Sequence, residues 1–311
     1  MSTVIDPFIL EHAPGPLVEL DPALVRARVA CAELLNALVA VPDSDLEYSW
    51  TWEGDENEVR YGFYRAVELL QLATSESRRL LADSPSTEAR DAAAAATQAR
   101  WALQGVLATL TDADLDVDPG NDQWTVRQTM GHIIGGQRGY AWGSAWWLSR
   151  RDQPRPPGAQ RPPAEVFAAI PEDDDEARGS LADIRQALDD VVDSTSSRYA
   201  TLTPEDMLVI AGWAGIPVTI GFRQWRWSSH IQEHTIQIEK TLDMVGRRRS
   251  EVDWLSRLIG QAFGRFGATV FGRESAGAAA PVFERVARDL NALHPSIVAA
   301  ANAAVPLPED W

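Results

Sequence analysis

Apolar residues recur along this chain every three to four positions in long blocks and nowhere alternate over the length of a strand. That pattern predicts amphipathic helices throughout. Asp21 and Pro22 read as an N-cap and first helical position, and Leu24, Val25, Leu34, Leu35 and Leu38 follow at helical spacing. An acidic loop around Trp50 and Trp52 leads to a second helix from about Glu56 to Ala82. The alanine-rich run from Thr87 continues into Leu103, Val106, Leu107 and Leu110 on one stripe of a third. Thr125 with Gln128 forms a capping box, which starts a fourth helix running to about Arg150. The proline- and arginine-rich segment Asp152 to Pro163 is expected to be an exposed connection.

Acidic residues Glu172 to Glu176 suit the start of the next helix, with Leu181, Ile184, Leu188 and Val191 keeping its period. Pro217 is expected to open the following helix and Gly246 to close it. Two more, Glu251 to Arg273 and Pro281 to Ala303, flank a small-residue turn at Ser275 to Ala280. The predicted fold class is therefore all-α. A faint self-similarity also links Ala37 to Glu68 with Val106 to Gln137.

Composition adds limits. At 311 residues, with 45% apolar and 23% charged, the chain has the make-up of a globular protein large enough for one extended domain or two. No apolar stretch reaches the roughly 18 to 20 residues of a membrane span, and Met1 to Gly15 lacks a cationic region followed by an apolar one. A cytoplasmic chain without membrane partners is expected. The formal charge of -17 disfavours nucleic acid and anionic lipid. The one dense basic run, Arg247 to Arg249, follows Gly246 at a helix end, where cations complement the helix dipole. The single cysteine, Cys31, excludes an internal disulfide framework and reads as a small buried residue. Lys240 is the only lysine among 28 basic residues, an arginine bias that suggests a GC-rich genome.

Candidate chemistry lies in the histidines. His230 and His234 are about 40° apart on one helix face, the spacing that lets two imidazoles bind one ion. The same stripe carries Arg223, Trp227, Gln237 and Thr241, with apolar flanks of Ile231, Ile238, Leu242 and Val245 on one side and Phe222, Trp225 and Ile236 on the other. The polar seam therefore faces inward. Burying it without partners costs on the order of 1 to 3 kcal/mol per unsatisfied group, which a bound ion would offset.

On the Thr125 helix, the face of His132 also carries Gln128, Thr129, Gly136, Gly139 and Gly143. Gly131, Gly135, Gly139 and Gly143 repeat every four residues. Close helix packing and room for a ligand beside the metal, at Gly136, Gly139 and Gly143, both account for the glycines. His12 and His294 read as hydrogen-bonded structural residues. Trp101, Trp124, Trp225 and Trp227 are assigned to the core, while Trp142, Trp146 and Trp147 are candidates for a pocket or an interface.

The segment Trp124-Thr-Val-Arg-Gln-Thr-Met-Gly-His132 resembles the DinB/YfiT-like pattern, in which a tryptophan opens a helix and a histidine follows eight residues later. His230-Ile-Gln-Glu-His234-Thr-Ile-Gln237 is similar to the second element of that family. The resemblance covers about Thr87 to Gly246 and implies a four-helix bundle of up-down-down-up topology. It implies zinc or nickel on His132, His230 and His234. It also divides the chain into an N-terminal helical extension (1–85), the metal-binding bundle (86–246) and a C-terminal helical extension (247–311).

Three imidazoles leave a tetrahedral ion one open position, the arrangement of a catalytic site. Relatives include mycothiol-dependent maleylpyruvate isomerases and bacillithiol transferases. The resemblance therefore implies a small-molecule enzyme using a low-molecular-weight thiol such as mycothiol, held as a nucleophilic thiolate at the metal. Gln237 would support the site, and Arg223 or Arg226 would hold a substrate carboxylate. Glu233 points away from the ligand direction and is not counted as a ligand. A metal-dependent hydrolase and a non-catalytic metal-stabilised module remain the alternatives, and homodimerisation is left open.

Overall fold

A computed structural model of the protein describes residues 20–153, 161–168, 170–269 and 276–307, and the structural statements below concern these residues. Eight long helices carry the fold: α1 (Pro22–Leu38), α2 (Val59–Leu80), α3 (Glu88–Leu107), α4 (Val126–Leu148), α5 (Leu181–Tyr199), α6 (Ile220–Met244), α7 (Glu251–Ala268) and α8 (Ala280–Ala303). Their starts follow from capping chemistry. The Asp21 carboxylate accepts the Ala23 N–H at 2.7 Å, and Thr125 with Gln128 and Ser250 with Asp253 close reciprocal capping boxes. Gly246, at φ +77°, ends α6 as the sequence predicts.

The helices enclose two cores. Leu103, Ile133, Ile134, Trp142, Leu188, Trp227 and Ile231 belong to one, built by α3, α4, α5 and α6. Within it α3 runs parallel to α6, with Glu88 against Trp225, and α4 parallel to α5, with Gln137 bonded to Thr195 and Tyr199 to Ala141. This is the up-down-down-up order. Leu34, Phe63, Leu70, Phe263, Phe283 and Leu290 belong to the other core, so α1, α2, α7 and α8, from opposite ends of the chain, share one interior.

Two features join the halves. Helices α3 and α7 approach until their backbones nearly touch. A Cβ at Gly260 would lie 2.5 Å from the Trp101 carbonyl oxygen, and one at Gly105 would lie 2.8 Å from that of Ser256. Beside this contact, Arg28 of α1 and Arg100 of α3 each reach an oxygen of Asp193 on α5 at 2.7 Å. Arg100 also lies 3.4 Å from Asp189.

The all-α class holds, with additions. Two short antiparallel hairpins, β1 (Ser49–Trp52) with β2 (Asp55–Glu58) and β3 (Ile210–Trp213) with β4 (Ile216–Thr219), lead directly into α2 and α6. Four-residue strands are too short for alternation to register in the sequence. Pro217 accordingly sits in β4 rather than opening a helix, and α6 begins after Thr219, whose hydroxyl accepts the Phe222 N–H at 3.1 Å. Glu172 to Glu176 do not run on into α5. Only Asp173–Glu176 is helical, and Gly179, at φ +95°, breaks the chain before Ser180 caps the next helix.

The tryptophan assignments also change. Trp142, Trp146 and Trp147 are buried in the first core rather than lining an opening, whereas Trp124 and Trp225 are 38% and 41% exposed. Cys31 is buried, and burial raises its thiol pKa. Most of the predicted Asp152 to Pro163 connection, the predicted end of α7 at Arg273 and His12 lie outside the described residues. No described helix is long and apolar enough to cross a membrane.

Candidate metal centre

Helices α4 and α6 run antiparallel and present their histidines to each other. His132 Nε2 lies 3.3 Å from His230 Nε2, and one ligand nitrogen from each of His132, His230 and His234 lies within 4.8 Å of the others. Two nitrogens held about 2.0–2.1 Å from a tetrahedral ion are separated by about 3.3–3.4 Å, so the observed spacing is that of two ligands of one ion. This constellation brings together the three histidines that the sequence motifs single out.

Surrounding groups fix the direction of each lone pair. His132 Nδ1 lies 3.1 Å from Asp173 Oδ2, so the carboxylate accepts the Nδ1 proton and leaves the Nε2 lone pair facing the cluster. His234 Nδ1 lies 2.7 Å from Gln237 Oε1, which does the same for the third imidazole. Gln237 therefore acts through His234. Nδ1 of His230 is buried without a hydrogen-bond partner.

Electrostatics favour neutral rings at His230 and His234. Burial, reinforced by His234, His132 and Arg226, lowers the His230 pKa to about 3. Burial also lowers His234, against the opposing effect of its hydrogen bond to the Gln237 carbonyl oxygen. Neutral imidazoles are what a divalent cation requires, and their mutual repulsion on protonation is what a cation would replace with attraction. The donor set and its orientation fit a divalent ion.

The glycine face of α4 serves several purposes. Cβ atoms at Gly131 and Gly135 would strike the Asp173 carbonyl and carboxylate, so these two glycines admit the segment carrying the partner of His132. A Cβ at Gly136 would lie 2.6 Å from His230 Cε1, and one at Gly143 would lie 2.8 Å from Arg223 Nη2. Gly139 alone of this set faces open space, with nothing within 4 Å of a Cβ placed there.

The two candidate arginines differ. Arg223 is buried, and its guanidinium donates to Ser144 Oγ at 3.0 Å, the Gly212 carbonyl at 2.7 Å and the Tyr140 carbonyl at 3.0 Å. Burial brings its pKa down to about 10, so it remains charged at neutral pH and clamps β3 to α4. Arg226 lies nearer the surface, donates to Glu233 Oε2 at 2.6 Å and stands 5.9 Å from the ring centre of Trp213. Glu233 is thus committed to Arg226, which holds its carboxyl below the usual range.

Aromatic rings complete the rim. Trp124 lies 4.9 Å, centre to centre, from His132, and Tyr140 lies 5.5 Å from His230 with its hydroxyl 3.4 Å from Trp213 Nε1. Asp173, Tyr140 and Trp213 escape a reading by helix faces. Asp173 hides in an acidic run that also suits a helix start, and Trp213 arrives on a hairpin. The paired glycines Gly131 and Gly135 were the available sign that another backbone approaches there.

Fold and site together define a class: a helical bundle with an inward three-histidine centre of metal-binding type. Residues 95–238 match the family model of the DinB superfamily, which supports a DinB-like assignment for this part of the chain. The match runs from within α3 to beyond Gln237 on α6 and contains all three histidines. Comparisons with curated proteins and with solved structures returned no match.

Proposed function

We propose that the protein is a divalent-metal enzyme of the DinB superfamily that uses a low-molecular-weight thiol of the mycothiol type, transferring it or isomerising a substrate with its help. The observation that carries this reading is the convergence of three imidazoles on helices α4 and α6, with open space at Gly139 on the same helix as His132. When bound, a divalent ion, zinc or alternatively nickel, supplies a Lewis-acidic position that favours the deprotonated form of a thiol.

The remaining work falls to the chain's own residues. Asp173 and Gln237 hold the Nδ1 protons of His132 and His234 and so keep both rings in the ligating tautomer. Gly136 lets the His230 ring close on α4, and Gly139 leaves the space beside it for a ligand. Arg226, less buried than Arg223 and backed by Trp213, is the better placed of the two to receive a substrate carboxylate by a forked pair of hydrogen bonds. Arg223 holds the wall behind it, with Gly143 giving its guanidinium room. Trp124, Tyr140 and Trp213 offer apolar faces to the body of a small substrate.

Elemental analysis of purified protein, with His132→Ala, His230→Ala and His234→Ala alongside, tests the centre. Metal-free wild type, or full metal in all three variants, refutes it. Titrating mycothiol into cobalt-substituted protein tests the thiol, since sulfur entering the cobalt sphere adds an intense near-ultraviolet charge-transfer band. An unchanged spectrum at saturating thiol transfers the reading to hydrolysis or to a binding module.

A further inference from the structure

The terminal segments build more than a buttress. Hairpin β1–β2 and hairpin β3–β4 have the same strand lengths and the same register, and their turns, Glu53-Gly54 and Ala214-Gly215, have φ of +54° and +95° against +47° and +85°. Each follows a short helical turn, Asp43–Asp45 or Pro204–Met207. Each delivers a helix whose first N–H donates to the carbonyl just before the hairpin, Val59 to Tyr48 and Ile220 to Val209, both at 2.9 Å. The unit α1–hairpin–α2 therefore corresponds to α5–hairpin–α6, with Tyr48 matching Val209, Trp52 matching Trp213 and Val59 matching Ile220.

Helix directions extend the match. Helices α2 and α7 are parallel, with Arg60 on Glu251, as α6 and α3 are with Trp225 on Glu88. Helices α1 and α8 are parallel, with Arg26 on Glu284 and Glu33 acting on His294, as α5 and α4 are with Thr195 on Gln137. Taken in the order α7, α8, α1, α2, the second bundle repeats α3, α4, α5, α6. The two meet through equivalent helices that cross antiparallel. Trp101 lies against Gly264 at the pivot, Gly105 against Gly260 on one side and Thr97 against Gly267 on the other.

Register follows from the close contacts. Gly62 of α2, which matches Arg223, seats the Ile297 side chain of α8, while Arg223 itself is seated by Gly143 of α4. Ile297 therefore matches Gly143, and the helices α8 and α4 then begin at matching residues, Ala280 and Val126. In this register Val286, Leu69 and Ala73 occupy the positions of His132, His230 and His234. Val286 and Ala73 are buried in the second core, and Leu69 packs against it.

We propose that α7, α8, α1 and α2 form a circularly permuted counterpart of the metal bundle, its centre sealed by Val286, Leu69 and Ala73, which covers α3 as a partner subunit supplied in cis. The inference takes from the proposed function only the identity of the three ligand positions. It requires that the chain carry no second metal and need no second copy to cover α3.

The test restores the missing ligands with Leu69→His, Ala73→His and Val286→His in the full chain, once in wild type and once with His230→Ala and His234→Ala. Zinc per chain is measured after dialysis, with size-exclusion chromatography and helical circular dichroism as folding controls. Each triple variant is expected to hold one more zinc than its parent. A folded triple variant that gains none overturns the proposal. Wild type without zinc and a triple variant with one would sink the native centre but leave the counterpart standing. Should the triple variant fail to fold even with zinc, a permutant beginning at Arg247, ending at Gly246 and joining the original termini decides. Native helicity and wild-type zinc content are expected of it, and an unfolded permutant overturns the proposal.

Discussion

Gly136 and Gly139 sit one turn apart on α4, yet a methyl group added at each has opposite expected effects. At Gly136 the new Cβ falls 2.6 Å from His230 Cε1 and 3.3 Å from both ring nitrogens, against an ordinary carbon contact of about 3.5–4.0 Å. Either the ring or the helix must yield by about 1 Å. Metal ligands tolerate about 0.2 Å, and the His132–His230 spacing of 3.3 Å already matches the separation of two ligand nitrogens on one ion. Gly136→Ala should therefore weaken zinc binding by at least about 10- to 100-fold, the range seen when groups supporting a ligand are lost. Overpacking of about 1–3 kcal/mol is set against a helix-propensity gain of about 1 kcal/mol, which leaves the metal-free protein between unchanged and about 2 kcal/mol less stable.

At Gly139 no atom stands within 4 Å, so only the propensity term remains. Gly139→Ala should stabilise the protein by up to about 1 kcal/mol and leave zinc affinity as it was. If substrate uses the gap, the same methyl group lowers kcat/KM without touching the metal. Competition for zinc against a fluorescent chelator and urea unfolding of the metal-free proteins measure both quantities. Wild-type zinc affinity in Gly136→Ala, or an equal loss in Gly139→Ala, would refute the assignment of the first glycine to the ligand and the second to the opening.

Three further expectations follow from buried charge and ring orientation. Asp193→Ala takes from the buried Arg100 and the half-buried Arg28 their shared carboxylate, leaving Arg100 with Asp189 at 3.4 Å, and should cost up to about 3 kcal/mol in urea unfolding, the lower end of the range for breaking a buried pair. Because burial lowers the His230 pKa to about 3, the unfolded chain takes up a proton below about pH 6.5 that the folded chain refuses. Metal-free protein should therefore lose about 1.4 kcal/mol per pH unit on this account between those limits, about 2 kcal/mol by pH 5, and His230→Gln should flatten that slope. Asp173→Ala removes the acceptor that fixes the His132 tautomer and should weaken zinc about 10- to 100-fold while helical circular dichroism stays at the wild-type level.

What could be read without the structure was whatever one helix carries on one face. The four-residue spacing of His230 and His234, the capping box at Thr125 and the inward seam of α6 are local, and each appears where its period places it. Assignments that depend on which helix lies opposite did not follow. Trp124 has the size of a core residue but meets the ring of His132 at the mouth, and Arg223 has the charge of a ligand-binding residue but spends it on the Gly212 and Tyr140 carbonyls.

The second core was illegible for a stronger reason. Its helices come from residues 22–80 and 251–303, separated by the whole first bundle, so the terminal segments read as two unrelated extensions. Similarity in chain order links Ala37 to Glu68 with Val106 to Gln137, whereas identical strand register matches the first hairpin to the one at Ile210–Thr219. Once Val286, Leu69 and Ala73 stood at the ligand positions, no polar residue remained there to mark the correspondence. Apolar residues at the ligand positions add core packing, so the bundle that carries buried imidazoles is the one in which a bound ion would offset their cost.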